Sequence, residues 1–394
     1  MLPRRAWVSV DYNGKDITEA VTKTIIDFTY TDRASDQADD LELNVHDRDR
    51  NWQGDWYPKA KSTDDQGNAV PGTIFRAKIH TENWNDDGDK GELDCGSFEI
   101  DSCDLSGPPA KMSIKALSTP ISSTIRREEK NKAWEDTTLT EIASDIAGEG
   151  GLQLVYEVEE EINLDRVEQL QKSDLSFLQE LCHEYGVSVK VTDDKLVLFE
   201  EKVYEGKDPV DTFDQSEVGS RVLNFHFKQD TSDCVSSVLS SYKDPKSGKL
   251  VEFEYDIPNA PETEQSAIVN ARPGDLRGDN FREGIPTANE DPGGTFDTGF
   301  KVYTDDRADD YDDIRADATP AMERQAKAVA REKNKHEWTA TLELAGNVLM
   351  VAGVTFEVTG FGVYDGKYIV DEATHKLGSG YKTTVNGHRV LEGY

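Results

Sequence analysis

Residues able to do chemistry are abundant in this chain, yet their spacing points away from an active site. Asp and Glu number 78, so carboxylate pairs arise throughout without design. Glycoside hydrolysis needs two placed carboxylates flanking a sugar cleft, with aromatics to stack the sugar. The aromatics on offer are Trp7, Trp52, Trp56, Trp84, Trp134 and Trp338. They are spread out and fall mostly on strand or turn positions, which favours packing in a core or an interface. The seven histidines, at 46, 80, 183, 226, 336, 375 and 388, form no HxxxH or HExxH pattern. The sequence has no GxSxG for a nucleophile elbow and no GxxxxGK[ST] to cradle phosphate.

Residues 85–94 (NDDGDKGELD) have the acidity of a calcium loop. They lack its alternating ligands and the closing Glu at position twelve, so a hydrated hairpin loop is the better account. The Asp-rich segment 305–317, interleaved with Arg307 and Arg315, presents the same two alternatives. The tripeptide Arg277-Gly278-Asp279 is one that chance readily produces in a loop. Cys95, Cys103, Cys182 and Cys234 form no CxxC, and no His lies at zinc-finger spacing from them. They read as buried thiols of a protein made in the cytosol. A Cys95–Cys103 bridge would need the two to face each other, which the sequence leaves open. The expectation is a protein that is not an enzyme, with no catalytic, cofactor-binding or metal residue assigned and no cofactor.

The elements that would position any site follow from composition and pattern. A chain of 394 residues exceeds one ordinary core, so two or three domains are expected. Its net charge is −34, which argues against nonspecific binding to DNA or to anionic lipid, since both would repel it. That acidity fits a self-repelling soluble surface, a high-salt habitat, or an acidic channel or partner-facing patch. Met1-Leu2-Pro3-Arg4-Arg5 is basic, but no apolar h-region follows. No apolar run is long enough to span a bilayer. The expected course is synthesis and assembly in the cytoplasm, with exit inside a larger particle or by lysis.

The stretch from Tyr12 to Trp56 is the most informative. Asn13-Gly14 suits a type I′ turn, because both central residues there need φ > 0. Leu41, Leu43 and Val45 alternate with Glu42, Asn44 and His46, the period of a half-buried strand. Further strands are expected around 7–12, 25–30, 75–81, 98–100 and 112–117, with a polar exposed loop between Trp56 and Thr73. A compact α/β stretch follows at 126–205. Thr138-Leu139-Thr140-Glu141 is a capping box, and Leu139, Ile142, Ala143 and Ile146 then share a helical face. A second helix starts at Ser173 and ends at Gly186, and a hairpin over 187–199 completes a small core. Strands resume at 222–227, 235–242 and 250–255. Residues 257–318 are rich in Pro, Gly, Asp and Asn and read as one long acidic loop. Thr319 and Pro320 open a helix over 320–335 as N-cap and N1. Alternation at 338–344, and strands around 354–358, 368–370 and 381–390, end the chain.

Several runs resemble the phage late control D family, the baseplate hubs of contractile phage tails, tailocins and related injection particles. They include Tyr12-Asn13-Gly14 with Asp16-Ile17-Thr18, Asp39-Asp40-Leu41, and Trp52-Gln53-Gly54-Asp55-Trp56. They continue in Gly96-Ser97-Phe98-Glu99-Ile100-Asp101, Ser106-Gly107-Pro108-Pro109, and Pro120-Ile121-Ser122. Lys132-Ala133-Trp134-Glu135, Gln171-Lys172-Ser173-Asp174-Leu175 and Asp365-Gly366-Lys367-Tyr368 extend the likeness, with Arg389 to Tyr394 at the end.

The resemblance implies a mainly β fold with an α+β insert. Two tandem tube-like β-barrel domains, at 1–125 and 206–394, would flank a small α/β insert domain at 126–205. It implies a structural hub whose homotrimeric ring adapts a six-fold tail tube to a three-fold central spike. Expected partners are the tail tube protein, the central spike protein, other baseplate proteins and the tape-measure protein, without sequence-specific nucleic acid or stable membrane insertion. The implied location is a phage tail or an extracellular contractile particle. The acidic 257–318 stretch is longer than the family pattern suggests. Some members carry a fused lytic or peptidoglycan-binding module, and none is expected in this chain. The competing readings are a cell-wall hydrolase or carbohydrate-binding component of the same particle, and a soluble acidic secreted protein.

Overall fold

In the computed structural model the described residues are 2–35, 37–53, 74–118, 124–126, 128–192, 195–243, 250–261, 265–270 and 320–393. Trp56, the 305–317 segment, Arg277-Gly278-Asp279 and Thr319 lie outside them.

Period-two patterning builds the main sheet. In Ile74–Glu82, Phe75, Ala77, Ile79 and Thr81 are buried while Arg76 is exposed, and in Asp40–His46 the residues Leu41, Leu43 and Val45 turn inward. Asn13 (φ 48°) and Gly14 (φ 79°) take the left-handed backbone of the expected turn and join Arg5–Tyr12 to Lys15–Asp16.

The fold is mainly β, and its largest sheet has 13 strands. The sheet runs in the order Val222–Gln229, Trp338–Leu344, Tyr381–Arg389, Gly366–Leu377, Ile25–Arg33, Asp40–His46, Lys111–Leu117, Lys90–Ser106, Ile74–Glu82, Arg5–Tyr12 and Lys15–Asp16. Asp211–Asp214 and Thr355–Thr359 branch from it. Strands from the two regions expected to be tube-like share this one sheet, with no closed barrel among the described residues. The reason is the 12-residue strand Gly366–Leu377. Along one edge its first residues pair with Thr355–Thr359 and its remainder, from Glu372, pairs with Ile25–Arg33, while the ladder to Tyr381–Arg389 on the other edge shifts register between Val370 and Glu372. One strand thus serves a neighbour from each half of the chain.

Four apolar clusters hold the elements. The first gathers Val8, Phe28, Leu43, Phe75, Phe98 and Ile114, and it also takes in Leu377 and Tyr381 from the final strands. A second, around Phe213, Leu342, Phe356, Tyr368 and Val385, underlies the other end of the sheet. Each fully buried side chain of this kind contributes about 1.5–3 kcal/mol, so these clusters outweigh the exposed ion pairs.

The third cluster lies in the insert, with Ile142, Ile146, Leu178, Leu181, Leu196 and Leu198. The capping box is made: Thr138 Oγ1 accepts from the Glu141 amide at 3.2 Å, and the Thr138 amide donates to Glu141 at 3.1 Å. The helices are Leu139–Gly150 and Asp174–Glu184. The hairpin Ser188–Thr192/Lys195–Phe199 gains a parallel neighbour, Gln153–Glu157. A further antiparallel pair, Glu129–Thr138 with Asn163–Ser173, escaped the pattern reading because polar residues occupy most positions on both strands.

The fourth cluster corrects the expected long loop. Ser266–Asn270 is a strand, parallel to Ser237–Lys243, which also pairs with Leu250–Asp256. Helix Pro320–Asn334 lays Met322, Ala326 and Ala330 against Val235, Val238 and Ile257. All four cysteines are unbridged, which resolves the Cys95–Cys103 question.

Candidate functional site

Two buried ionic joints stand out, each made by residues far apart in sequence. The first centres on Lys190, on the insert strand Ser188–Thr192. Its ammonium donates to the Asp32 carboxylate and to the Arg33 carbonyl (2.7 Å), and lies 3.3 Å from Asp39 Oδ1. Burial opposes the charge on Lys190, but Asp32 and Asp39 outweigh it and hold its pKa above the ordinary value. Burial pushes the Asp39 carboxyl up to about 6, with Lys190 pulling the other way. Asp32 Oδ2 also accepts the Ala352 amide at 2.9 Å. Next to this group, the Arg33 guanidinium donates to Asp40 (2.5 Å) and to Glu372 (3.1 Å). The early strands, the insert and the final strands therefore meet at one set of charges.

The second joint is made by Arg324 and Arg331 of helix Pro320–Asn334. Arg324 pairs with Glu200, and Arg331 with Glu205 at 2.7 Å. Glu205 Oε1 is 3.6 Å from His388 Nε2, while His388 Nδ1 lies 2.7 Å from Asp371. His388 is 1 % exposed. Burial would lower its pKa, yet Asp371 and Glu205 together raise it to about 10.

The ligand atoms of His336, Asp371 and His388 lie within 4.8 Å of one another, as do those of Glu201, Glu205 and His388. A metal needs a neutral imidazole. This one is held protonated, and Arg331 already occupies Glu205. The donor set suits an ionic joint better than a cation site. Sequence spacing could not reveal it, because 183 positions separate Glu205 from His388 (388 − 205).

This joint makes stability depend on pH. The folded pKa of His388 lies above the ordinary value near 6.5, so its contribution is complete below pH ~6.5 and is lost as pH rises towards 10. Thermal melts of the wild-type chain and His388→Gln should differ most near pH 6 and converge by about pH 10.5. A gap that persists unchanged across that range would show that His388 acts by packing alone.

Four of the described tryptophans pack against neighbours. Trp52 is buried, and its Nε1 donates to Thr24 Oγ1 at 3.2 Å. Trp134 stacks on Phe177 with centroids 5.2 Å apart. Trp338 lies against Tyr364 and under Arg389. Trp84 is a bridge: its Nε1 donates to the carbonyls of Ala345 (2.8 Å) and Gly346 (2.7 Å), and its ring packs on Tyr381. Gly346 (φ +72°) permits that approach, since a Cβ there would fall 2.4 Å from Tyr381. The 83–89 turn satisfies itself: Asp89 accepts the amides of Trp84 (2.6 Å) and Asn85 (3.0 Å), as a hairpin loop would.

One arrangement was invisible in the sequence. Ser9 Oγ is 2.8 Å from His80 Nε2, and His80 Nδ1 is 3.5 Å from Glu92. These residues sit on three adjacent strands. The line has the order of a nucleophile, base and orienting acid. However, Lys78 holds Glu92 at 2.8 Å, and His80 stacks on Trp7. None of these three residues lines the two clefts that border the ionic joints. The larger of two prominent clefts, about 930 Å³, is lined by the second joint, including Glu200, Glu205, Arg324 and Arg331. The other, about 600 Å³, borders Arg33, Asp40, Lys115 and Arg126. Among the described residues no helix is long and apolar enough to cross a membrane.

Comparison with known proteins gives this architecture a context. The chain is 29 % identical over 188 residues to the probable baseplate hub protein of Escherichia phage 186, covering 47 % of this chain and 42 % of that protein. The match thus spans less than half the length of that relative. A tail protein from Neisseria meningitidis MC58 has a similar fold, with a TM-score of 0.62, 12 % identity and coverage of 98 % and 96 % of the two chains. The 43 kDa tail protein of prophage MuSo2 from Shewanella oneidensis is similar at a TM-score of 0.59 and 9 % identity, covering 98 % and 97 %. The family model described as phage tail baseplate hub (GPD) matches residues 115–381, more than half of the sequence, and the chain belongs to that family.

Proposed function

We propose that this protein is a structural, non-enzymatic hub that forms a homotrimeric ring between a six-fold tail tube and a three-fold central spike. On this reading its contacts are with the tube protein, the spike, other baseplate proteins and the tape-measure protein. It would assemble in the cytoplasm and then stay within the tail or contractile particle. We assign residues 1–125 and 206–394 to two tube-forming parts and 126–205 to an insert. The observation that carries the reading is the single large sheet in which Gly366–Leu377 pairs antiparallel with Ile25–Arg33, joining both parts across one ladder. Two such parts per copy would let three copies present six similar faces to the tube. Both buried joints then serve stiffness: each ties the insert to the sheet.

Sedimentation of the full chain tests this directly, and its salt dependence is part of the expectation. Each copy carries −34, so approach of further copies is opposed by repulsion acting over the Debye length. That length shrinks from about 10 Å at 0.1 M salt to about 3 Å at 1 M. The trimer should therefore hold or strengthen as salt rises. A monomer at every concentration and salt would refute the ring. A trimer that falls apart steeply with added salt would place the charge surplus elsewhere than on solvent and lumen.

A further inference from the structure

Val222–Gln229 and Trp338–Leu344 are antiparallel neighbours in the large sheet, yet residues 230–337 are inserted between them. The described part of that insertion builds a unit of its own. Ser237–Lys243, Leu250–Asp256 and Ser266–Asn270 form a separate three-stranded sheet, and helix Pro320–Asn334 packs on it. The apolar cluster between them draws only on residues within 235–330. A unit with its own core keeps its fold when it moves relative to its surroundings. The chain also enters and leaves this unit side by side. The Asp230 amide donates to the Glu337 carbonyl at 2.8 Å, and Gln229 Nε2 donates to Glu337 Oε1 at 3.1 Å. Just inside, the buried Asn334 accepts the Val235 amide at 2.8 Å and donates to the Val235 carbonyl at 3.0 Å. Two adjacent crossings of this kind make a hinge, because a few backbone torsions there can turn the whole unit.

Away from the hinge the unit is held through charge. Arg324, Ala328 and Arg331 recur at helical spacing on one side of Pro320–Asn334, while Met322, Ala326 and Ala330 face the unit's own core. Arg324 pairs with Glu200 and donates from Nε to the Tyr185 carbonyl at 3.0 Å, and Arg331 pairs with Glu205. The side chains of Glu200 and Glu205 are each 4 % exposed. Ala328 meets Gly186 so closely that a Cβ there would lie 3.2 Å from the Ala328 Cβ. Cavities of about 930 Å³ and 40 Å³ adjoin this contact, and residues from both sides of the seam line each of them. Pro258 also lies beside Gly393. A seam that is ionic and loosely packed, rather than large and apolar, lets its two sides part.

We infer that the three-stranded sheet and helix Pro320–Asn334 form a hinged arm, pivoting on the paired crossings at 229–230 and 337–338 and latched by Arg324–Glu200 and Arg331–Glu205. Closed, the latch stiffens the joint; released, it frees the arm without unfolding either core. The inference goes beyond the hub reading and does not depend on assembly of copies. Parting the seam returns four charged groups to water, which offsets much of the attraction lost. Removing one partner from each pair leaves an uncompensated buried charge in the closed state only, so it favours the open one.

Thiol accessibility in the full chain tests this, with a bulky maleimide and peptide mass spectrometry to locate the label. Ala328→Cys places a reporter in the seam, and Ser188→Cys places a second one on the insert side, at the smaller cavity. The native Cys182 and Cys234 are buried, one in the insert core and one at the base of the arm, and they report unfolding. Adding Arg324→Gln with Arg331→Gln should speed labelling of either seam thiol about tenfold or more. Glu200→Gln with Glu205→Gln cuts the same latch from the other side and should act alike. Cys182 and Cys234 should keep their original rates throughout. Seam rates that neither pair of substitutions changes overturn the latch. Labelling of Cys234 or Cys182 that accelerates in step with the seam thiols overturns the hinge, because a core would then be unfolding rather than swinging. Neither result bears on whether the chain forms a ring, which sedimentation decides separately.

Discussion

Lys190→Met should lower the stability of the folded chain by about 3–5 kcal/mol at neutral pH, the usual cost of removing one partner from a buried ionic group. Asp32 and Asp39 have side chains only 8 % and 2 % exposed, and without Lys190 no ammonium stands beside them. Methionine fills nearly the same space, so lost volume contributes little. The defect should shrink on acidification. Asp39 already titrates near 6 beside Lys190, and removing the cation favours the protonated acid further. Urea unfolding at pH 7.5 and pH 5 measures both parts. Adding Asp32→Asn and Asp39→Asn to Lys190→Met should recover part of the loss. A neutral Lys190→Met at both pH values would show that water or local movement satisfies the carboxylates, and the joint would then carry no structural weight.

Gly387→Ala should cost about 3 kcal/mol, at the upper end of the usual range for overpacking. Gly387 lies in Tyr381–Arg389 opposite Val370, and a Cβ there would sit 2.2 Å from the Ile369 carbonyl oxygen. That oxygen belongs to the backbone of the neighbouring strand, so no side-chain rotation relieves the clash. The strands must part, and His388 moves with them out of its contact with Asp371 and Glu205. Gly380→Ala is the control, because a Cβ at that position meets nothing within 4 Å. Thermal melts of the two variants should separate clearly. Equal melting temperatures would mean that the ladder between Gly366–Leu377 and Tyr381–Arg389 gives way easily at this point.

Local pattern determined a good deal by itself. The Asn13-Gly14 turn, the inward Leu41, Leu43 and Val45, and the Thr138 capping box all depend on contacts within a few residues. Such features leave a periodic or positional trace in sequence. The family was legible too, through runs such as Asp39-Asp40-Leu41 and Asp365-Gly366-Lys367-Tyr368. Pattern failed where polarity hid it, as in Glu129–Thr138 and Asn163–Ser173. It also failed where a short apolar strand, Ser266–Asn270, lay inside an acidic stretch.

Tertiary structure alone decided the rest. Nothing local in Gly366–Leu377 says that its second part pairs with Ile25–Arg33, more than 300 residues earlier. Lys190 with Asp32 and Asp39, and His388 with Glu205 and Asp371, are likewise ordinary charged residues until the fold removes water from around them. Burial turns each into a group that must find its counter-charge, and the partner is whichever residue the sheet and insert bring within reach.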